Sequence, residues 1–123
     1  MVILSTELTS RKEFADLISK NPGIIIVKLG ATWCGPCQRI EPTVKHFFEN
    51  SPANCLCVTI DIDKSMDIYA VLKRNRIING VPGLLCYTTE EDNIYPSFVC
   101  NTGDINEVNK FFQNCMNEMM QNN

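Results

Sequence analysis

The sequence lacks a long apolar segment and has little net charge. Its apolar runs, such as Ile24 to Val27, stop after a few residues, whereas a membrane-spanning helix needs about 20. The first seven residues hold no basic cluster and no extended apolar stretch, so we expect no secretory signal. The net charge of −3 is too small to favour nucleic acid or a membrane surface as the partner.

The chain is also poor in metal-ligand patterns. It has one histidine, His46, and no second C-x-x-C, whereas a mononuclear zinc site takes about four ligands. We therefore expect no metal site. The seven cysteines are odd in number and do not resemble a secreted disulfide framework. We therefore expect the protein to reside in a reducing compartment, the cytoplasm, with most of its thiols free.

What is present is enough for one domain, residues 1–123. The sequence is 45% hydrophobic and 20% charged, which is typical of a globular chain with a real core. Ser10 and Glu13 fit a capping box that starts a first helix. Residues 24–29 form a β-branched run typical of a central strand buried on both faces.

The rest of the chain alternates between helix and strand signals. A helix is predicted from near Pro36, with a kink at Pro42, followed by a strand over residues 55–62 and a helix over residues 67–76. Strands over 84–87 and 94–100 flank a polar turn at 88–93, and Asp104 with Glu107 begins the last helix. This order predicts an α/β fold in which a central mixed sheet of about five strands is flanked by four helices.

The most informative motif is Trp33-Cys34-Gly35-Pro36-Cys37. It follows a predicted strand directly and opens a predicted helix, so it places two thiols one turn apart at a helix N-terminus. Free backbone N–H groups and the helix dipole favour a thiolate there. A thiolate beside a second thiol is the chemistry of dithiol–disulfide exchange.

With the motif, Pro42 and Val81-Pro82 in place, the chain resembles the thioredoxin family over nearly its whole length. The resemblance implies a thioredoxin fold whose cis-proline, Pro82, faces the C-G-P-C helix N-terminus. It implies that Cys34 is the nucleophile, and that Cys37, which we expect to be more buried, resolves the mixed disulfide. Trp33, Gly35, Pro36, Val81, Pro82 and Asn101 would form the substrate-docking rim.

The resemblance also implies partners. No cofactor would be bound beyond the redox-active Cys34–Cys37 disulfide. A thioredoxin reductase would recharge the pair with electrons from NADPH, and disulfide-containing proteins such as peroxiredoxins or ribonucleotide reductase would be the substrates. We expect a monomer. Gly-Pro within the motif goes with reducing members of the family, so a disulfide oxidase or isomerase is the weaker alternative. A thioredoxin-like adaptor that binds a partner through the rim is another.

Three departures from the family pattern stand out. Lys28 occupies the position of a buried acid that helps deprotonate the second cysteine. It would act on Cys37 as a neutral base, stabilise the Cys37 thiolate as a cation, or extend to water and leave proton transfer to solvent. Asn101 replaces a rim glycine, a change that Asn tolerates even in the left-handed conformation. The span from Asp63 to Pro82 is about four residues longer than usual, close to one helical turn.

The other five cysteines are expected to be buried, small apolar residues. Cys86 and Cys100 fall on the two arms of the predicted hairpin. A regulatory disulfide between them is one interpretation, and two free thiols is the other.

Overall fold

The computed structural model describes residues 2–5, 8–89 and 93–121. The elements in chain order are β1 Val2–Ser5, α1 Arg11–Ser19, β2 Ile24–Gly30, α2 Gly35–Glu49, β3 Cys55–Asp61, α3 Met66–Arg74, β4 Gly83–Thr88, β5 Phe98–Cys100 and α4 Ile105–Gln121. No helix within these ranges is long and apolar enough to cross a membrane.

The strands form one mixed sheet in the order β1-β3-β2-β4-β5. β3 pairs in parallel with both β1 and β2, and β4 pairs antiparallel with β2 and β5. The expected α/β fold with five strands and four helices is confirmed. β2 lies at the centre and is buried along its whole length, as its β-branched run predicts.

Two helices cover each face of the sheet. Phe14 and Ile18 of α1 pack with Ile68 and Leu72 of α3 against one face. The other face is covered by α2 and α4, through Ile40, Val44, Phe48, Val108, Phe111, Phe112, Cys115 and Met119. Because β2 is sandwiched between both layers, its C-terminal end is held rigidly where α2 begins.

Local sequence signals act as expected at the first helix. The Ser10 side chain accepts a hydrogen bond from the Glu13 N–H, and the Glu13 carboxylate accepts one from the Ser10 N–H. The capping box is therefore confirmed. Pro42 lies inside α2, and the kink there stays a prediction.

The returning strand was predicted over residues 94–100, and that prediction was wrong at its start. β5 begins only at Phe98. The Asn93 side chain instead accepts a hydrogen bond from the Tyr95 N–H at 2.8 Å, which bends the backbone, and Pro96 has no N–H to offer a ladder. Residues 90–92 of the predicted turn lie outside the described residues.

The third helix ends earlier than the predicted Arg76. α3 stops at Arg74, and the Asn75 side chain donates a hydrogen bond to the Val71 carbonyl oxygen at 2.7 Å. Arg76 then has a φ of 60°, the left-handed conformation that terminates helices. Residues 75–82, between α3 and β4, therefore form an irregular loop.

Candidate active site

The two cysteines of the motif lie at the start of α2, just after the end of β2. Cys34 is the N-cap of α2, and its Sγ accepts a hydrogen bond from the Cys37 N–H at 3.2 Å. The two cysteines form a disulfide with their Cα atoms 5.2 Å apart. In the reduced state the same N–H donor and the helix dipole stabilise negative charge on Cys34.

The expectation that Cys37 is more buried than Cys34 was wrong. Both residues are 4% exposed. The two cysteines differ instead in which groups surround them. The Cys34 Sγ lies 3.8 Å from the Val81 carbonyl oxygen, whereas Cys37 lines a cleft between α2 and the sheet.

The loop facing Cys34 carries the expected cis peptide bond, between Val81 and Pro82. Pro82 is buried and Val81 is half-buried. The Val81 backbone thus borders the sulfur that is predicted to attack substrates, and the structure brings Val81, Pro82 and Cys34 together as the family resemblance implied.

Trp33 is exposed next to the dithiol. Its side chain is 66% exposed, which excludes a plain core role, and its indole Nε1–H donates to Asp63 Oδ2 at 2.9 Å. Sequence reasoning did not assign a role to Asp63. The signal was available, because Asp63 follows β3, the parallel neighbour of the strand that leads to Trp33, and such strand ends share one edge of a sheet.

Gly35 and Pro36 are exposed at the start of α2. Gly103 was also missed by the sequence analysis. A Cβ at this glycine would lie only 2.8 Å from the Pro36 Cβ, so glycine is needed for the loop after β5 to close against the motif.

Asn101 is half-buried in the same loop. Its amide nitrogen donates to the carbonyl oxygens of Gly80 and Pro82, each at 2.9 Å. Its side-chain oxygen accepts from the Asn79 N–H at 2.6 Å. Among the described non-glycine residues only Arg76 has a positive φ, so Asn101 does not use the left-handed conformation that asparagine tolerates.

Lys28 lies deep in the cleft beside Cys37. It is 8% exposed, and the cleft, of about 350 Å³, is also lined by Glu41 and Thr59. A Cβ at Gly30 would lie 3.5 Å from the Cys37 Sγ and 3.9 Å from the Lys28 Cε. Because Gly30 has no side chain, Lys28 and Cys37 border the same gap. The ion pairs found within the described ranges do not include Lys28.

The remaining five cysteines are free and buried, as predicted. Contact with the Cys57 sulfur and burial raise the pKa of Cys55, contact with Cys86 and burial raise that of Cys115, and burial raises that of Cys100. Those three thiols are therefore held protonated, whereas the hydrogen bond with Cys55 lowers the pKa of Cys57, the other member of that pair. Across the part of the chain that is described, no group of three or more His, Cys, Asp or Glu side chains is arranged to hold a metal ion.

Comparison with known proteins gives one family. The thioredoxin family model matches residues 5–110. Thioredoxin-2 of Saccharomyces cerevisiae is 27% identical over 82 residues, which cover 67% of this chain and 74% of that protein. Mitochondrial thioredoxin-3 of the same yeast is 38% identical over 63 residues, 51% of this chain and 48% of that protein.

Solved structures give the same fold over a longer stretch. Trichomonas vaginalis thioredoxin superposes with a TM-score of 0.74 at 21% identity, covering 92% of this chain and 96% of that one. Plasmodium falciparum thioredoxin gives 0.67 at 22% identity, with coverages of 93% and 98%. With a family match over most of its length and a disulfide at the start of α2, the chain belongs to the thioredoxin family and is a thioredoxin-like disulfide reductase.

Proposed function

We propose that Cys34 is the nucleophile of this reductase and Cys37 its resolving thiol. The observation that carries the assignment is the Cys37 N–H hydrogen bond to the Cys34 Sγ. Cys34 caps the helix, so its thiolate receives the N–H donor and the dipole, whereas Cys37 lies within the first turn.

The exchange then runs in two balanced steps. The Cys34 thiolate attacks one sulfur of a target disulfide, which forms a mixed disulfide and releases the other target sulfur as a thiolate that takes up a proton. Cys37 loses its proton and attacks the Cys34 sulfur, which releases the second target thiol. Two electrons have passed to the target, and the Cys34–Cys37 disulfide is restored.

Docking of the substrate is proposed to use both sides of Cys34. Trp33, Gly35 and Pro36 supply an exposed surface, and Val81, Pro82 and Asn101 supply the opposite wall. The Val81 backbone would pair with an extended segment of the target, in the manner of a short added strand. The Cys34 Sγ lies 3.8 Å from the Val81 carbonyl oxygen, so such a segment would pass next to the attacking sulfur.

For the fate of the electrons, we propose that a thioredoxin reductase recharges the disulfide from NADPH and that no cofactor is bound to this chain. Peroxiredoxins and ribonucleotide reductase fit as targets. The chain would act as one domain, residues 1–123, in the reducing cytoplasm. One relative carries a mitochondrial name, so fractionation between these compartments tests the location.

A monomer is the proposed oligomeric state. The five cysteines outside the motif are all buried, so none offers a surface thiol for an intermolecular disulfide. Sedimentation of the oxidised and reduced protein tests this state.

We also propose that Lys28 takes part in removing the proton of Cys37. Support comes from the gap over Gly30, which both residues border. The base and the cation interpretations both favour the Cys37 thiolate, whereas an amine that only extends to water would leave Cys37 unaffected.

The alternative of an adaptor is favoured by one observation. Trp33 is fixed by Asp63 while remaining exposed, and such a surface would bind a partner without any thiol chemistry. The variant Cys34→Ser distinguishes an adaptor from a reductase, because an adaptor would keep its partner when the nucleophile is removed.

The reduction potential of the Cys34–Cys37 pair tests the proposed direction of electron flow. We expect about −270 mV against a glutathione or dithiothreitol series, the range of reducing thioredoxins. A value above about −200 mV would instead indicate an oxidase or isomerase.

A further inference from the structure

The loop that faces Cys34 has little regular structure of its own. Residues 75–82 join α3 to β4, and they contain the left-handed residue Arg76 and the half-buried Val81. A loop of this kind samples many conformations unless specific contacts hold it. Its position matters because the Val81 carbonyl oxygen lies 3.8 Å from the Cys34 Sγ.

One side chain holds this loop on both sides of Val81. The Asn101 amide nitrogen donates to the carbonyl oxygens of Gly80 and Pro82, and the Asn101 side-chain oxygen accepts from the Asn79 N–H. A carboxamide has two N–H donors and one carbonyl acceptor. Each N–H therefore reaches its own carbonyl, and the acceptor is used as well.

The residue that makes these bonds is anchored to the sheet. Asn101 directly follows Cys100, which is in register with Leu84 of β4. A Cβ at Gly83, the first residue of β4, would lie 3.6 Å from the Asn101 amide nitrogen. The Asn101 side chain thus ties the backbone of residues 79–82 to the β4–β5 pair.

We propose that Asn101 is a positioning residue that holds the Val81 backbone in the direction required to bind protein disulfides. The inference rests on the proposed docking of an extended substrate at Val81. Asn101 would act on substrate affinity and not on the chemistry of the sulfurs, because the hydrogen bonds of its side chain all go to the backbone of residues 79–82. A preorganised loop saves the free energy otherwise spent on ordering it during binding.

The variants Asn101→Gly and Asn101→Asp test the role in graded ways. Glycine removes all three hydrogen bonds, whereas aspartate keeps an acceptor for the Asn79 N–H and places a carboxylate against two carbonyl oxygens. Asn117→Ala is the matched control, since Asn117 is exposed on α4 and accepts one hydrogen bond, from Gln113. Thermal unfolding of each variant verifies that it is folded.

The measurement is the reduction of insulin by the dithiothreitol-recharged protein, with a small aromatic disulfide as the second substrate. We expect both Asn101 variants to raise the KM for insulin about threefold to tenfold, the effect of one net hydrogen bond. The kcat, the rate with the small disulfide and the reduction potential should stay at the wild-type values. Asn117→Ala should leave all four quantities unchanged.

Two kinetic results would overturn the proposal: an unchanged KM for insulin in both folded variants, or an equal loss of rate with both substrates. Hydrogen exchange at the Asn79 N–H gives a readout that does not depend on turnover. Asn101→Gly should accelerate this exchange relative to wild type, and unchanged protection would refute the role of Asn101. Failure of the wild-type protein to reduce insulin at all would instead refute the proposed function.

Discussion

Trp33 donates its indole N–H to the carboxylate of Asp63 at 2.9 Å while 66% of its side chain remains exposed. An exposed aromatic ring normally samples several rotamers. The hydrogen bond holds this ring next to Cys34 and leaves most of the ring exposed to solvent. The exposed apolar surface of the ring is therefore held in one orientation.

Removing this carboxylate should loosen the ring. Since Trp33 is the sole tryptophan, its fluorescence anisotropy reports on the change directly, and we expect Asp63→Ala to lower it. The KM for insulin should rise about twofold to fivefold, because an exposed hydrogen bond to a charge contributes modestly. Asp16→Ala, on the exposed side of α1, is the control. Unchanged anisotropy in Asp63→Ala would show that the hydrogen bond does not order the ring.

The role of Lys28 can be resolved by two substitutions. Lys28→Met removes the amine and keeps the length of the side chain. If Lys28 acts on Cys37, the pH at which the exchange rate rises should move upward by about one unit, equivalent to about 1.4 kcal/mol. Stopped-flow exchange between pH 5 and 9 measures it, and an identical profile would exclude Lys28 from proton transfer.

Lys28→Arg then separates the two chemical interpretations. Arginine remains charged throughout this pH range, so it replaces a cation that stabilises the Cys37 thiolate but cannot replace a neutral base. Lys45→Met is the matched control, since Lys45 is exposed on α2 and borders a neighbouring part of the same cleft. The control should retain the wild-type pH profile.

The buried cysteines predict a simple pattern of alkylation. Contacts with neighbouring thiols, and then burial, raise the pKa of Cys55 and Cys115, and reaction at these buried sulfurs requires local unfolding. Iodoacetamide should leave the oxidised native protein unmodified and should label Cys34 first after reduction. Mass spectrometry of the labelled peptides measures this pattern. Rapid labelling of any cysteine outside the motif in the native protein would contradict it.

An acid-sensitive contact links α1 to α3. The Arg11 guanidinium lies 2.7 Å from Asp67 Oδ1, and the Arg11 N–H donates to Asp67 Oδ2 at 2.8 Å. The hydrogen bond from the Arg11 side chain lowers the pKa of Asp67 most, and the one from the Arg11 backbone N–H lowers it further. The contribution to stability is therefore fully present above the unfolded pKa of about 3.9, and it is lost as the pH falls through the lower folded value.

Asp67→Asn should accordingly lower the Tm at pH 6, and the difference from wild type should vanish near pH 2. Asp16→Asn is the comparison, because the partner of Asp16, Lys12, lies on the same helix. Asp16→Asn should lower the Tm less than Asp67→Asn does, since the Lys12–Asp16 ion pair connects no second element to α1. A Tm difference for Asp67→Asn that grows on acidification would contradict the assigned direction.

Features that depend on neighbours in sequence could be predicted well. The capping box of Ser10 and Glu13 needs only four consecutive residues, and Cys34 as N-cap follows from a strand that runs directly into a helix. The burial of β2 follows from its run of β-branched residues. For each of these, the interacting groups are fixed by local backbone geometry.

Features that depend on distant chain segments could not be predicted from local pattern, and the meeting of the Val81-Pro82 turn with Cys34 was expected only through the family resemblance. The hydrogen bonds of Asn101 reach residues 79, 80 and 82, and the shortening of β5 reflects the turn made by Asn93. The equal burial of Cys34 and Cys37 depends on the 75–82 loop, whose path no local pattern specifies. Side chains that meet only after folding leave no fixed spacing in the sequence.

The sequence by itself determined the redox motif of this protein: its C-G-P-C dithiol lies between a buried strand and a helix N-terminus, where backbone N–H groups and the helix dipole favour a thiolate. The tertiary structure alone decided what surrounds each sulfur. It placed Lys28 and Cys37 around one gap, and it brought the Asn101 side chain to the backbone of residues 79–82. The physical reason is that thiolate stabilisation arises from backbone dipoles within one turn, whereas docking geometry arises from contacts between segments joined only by folding.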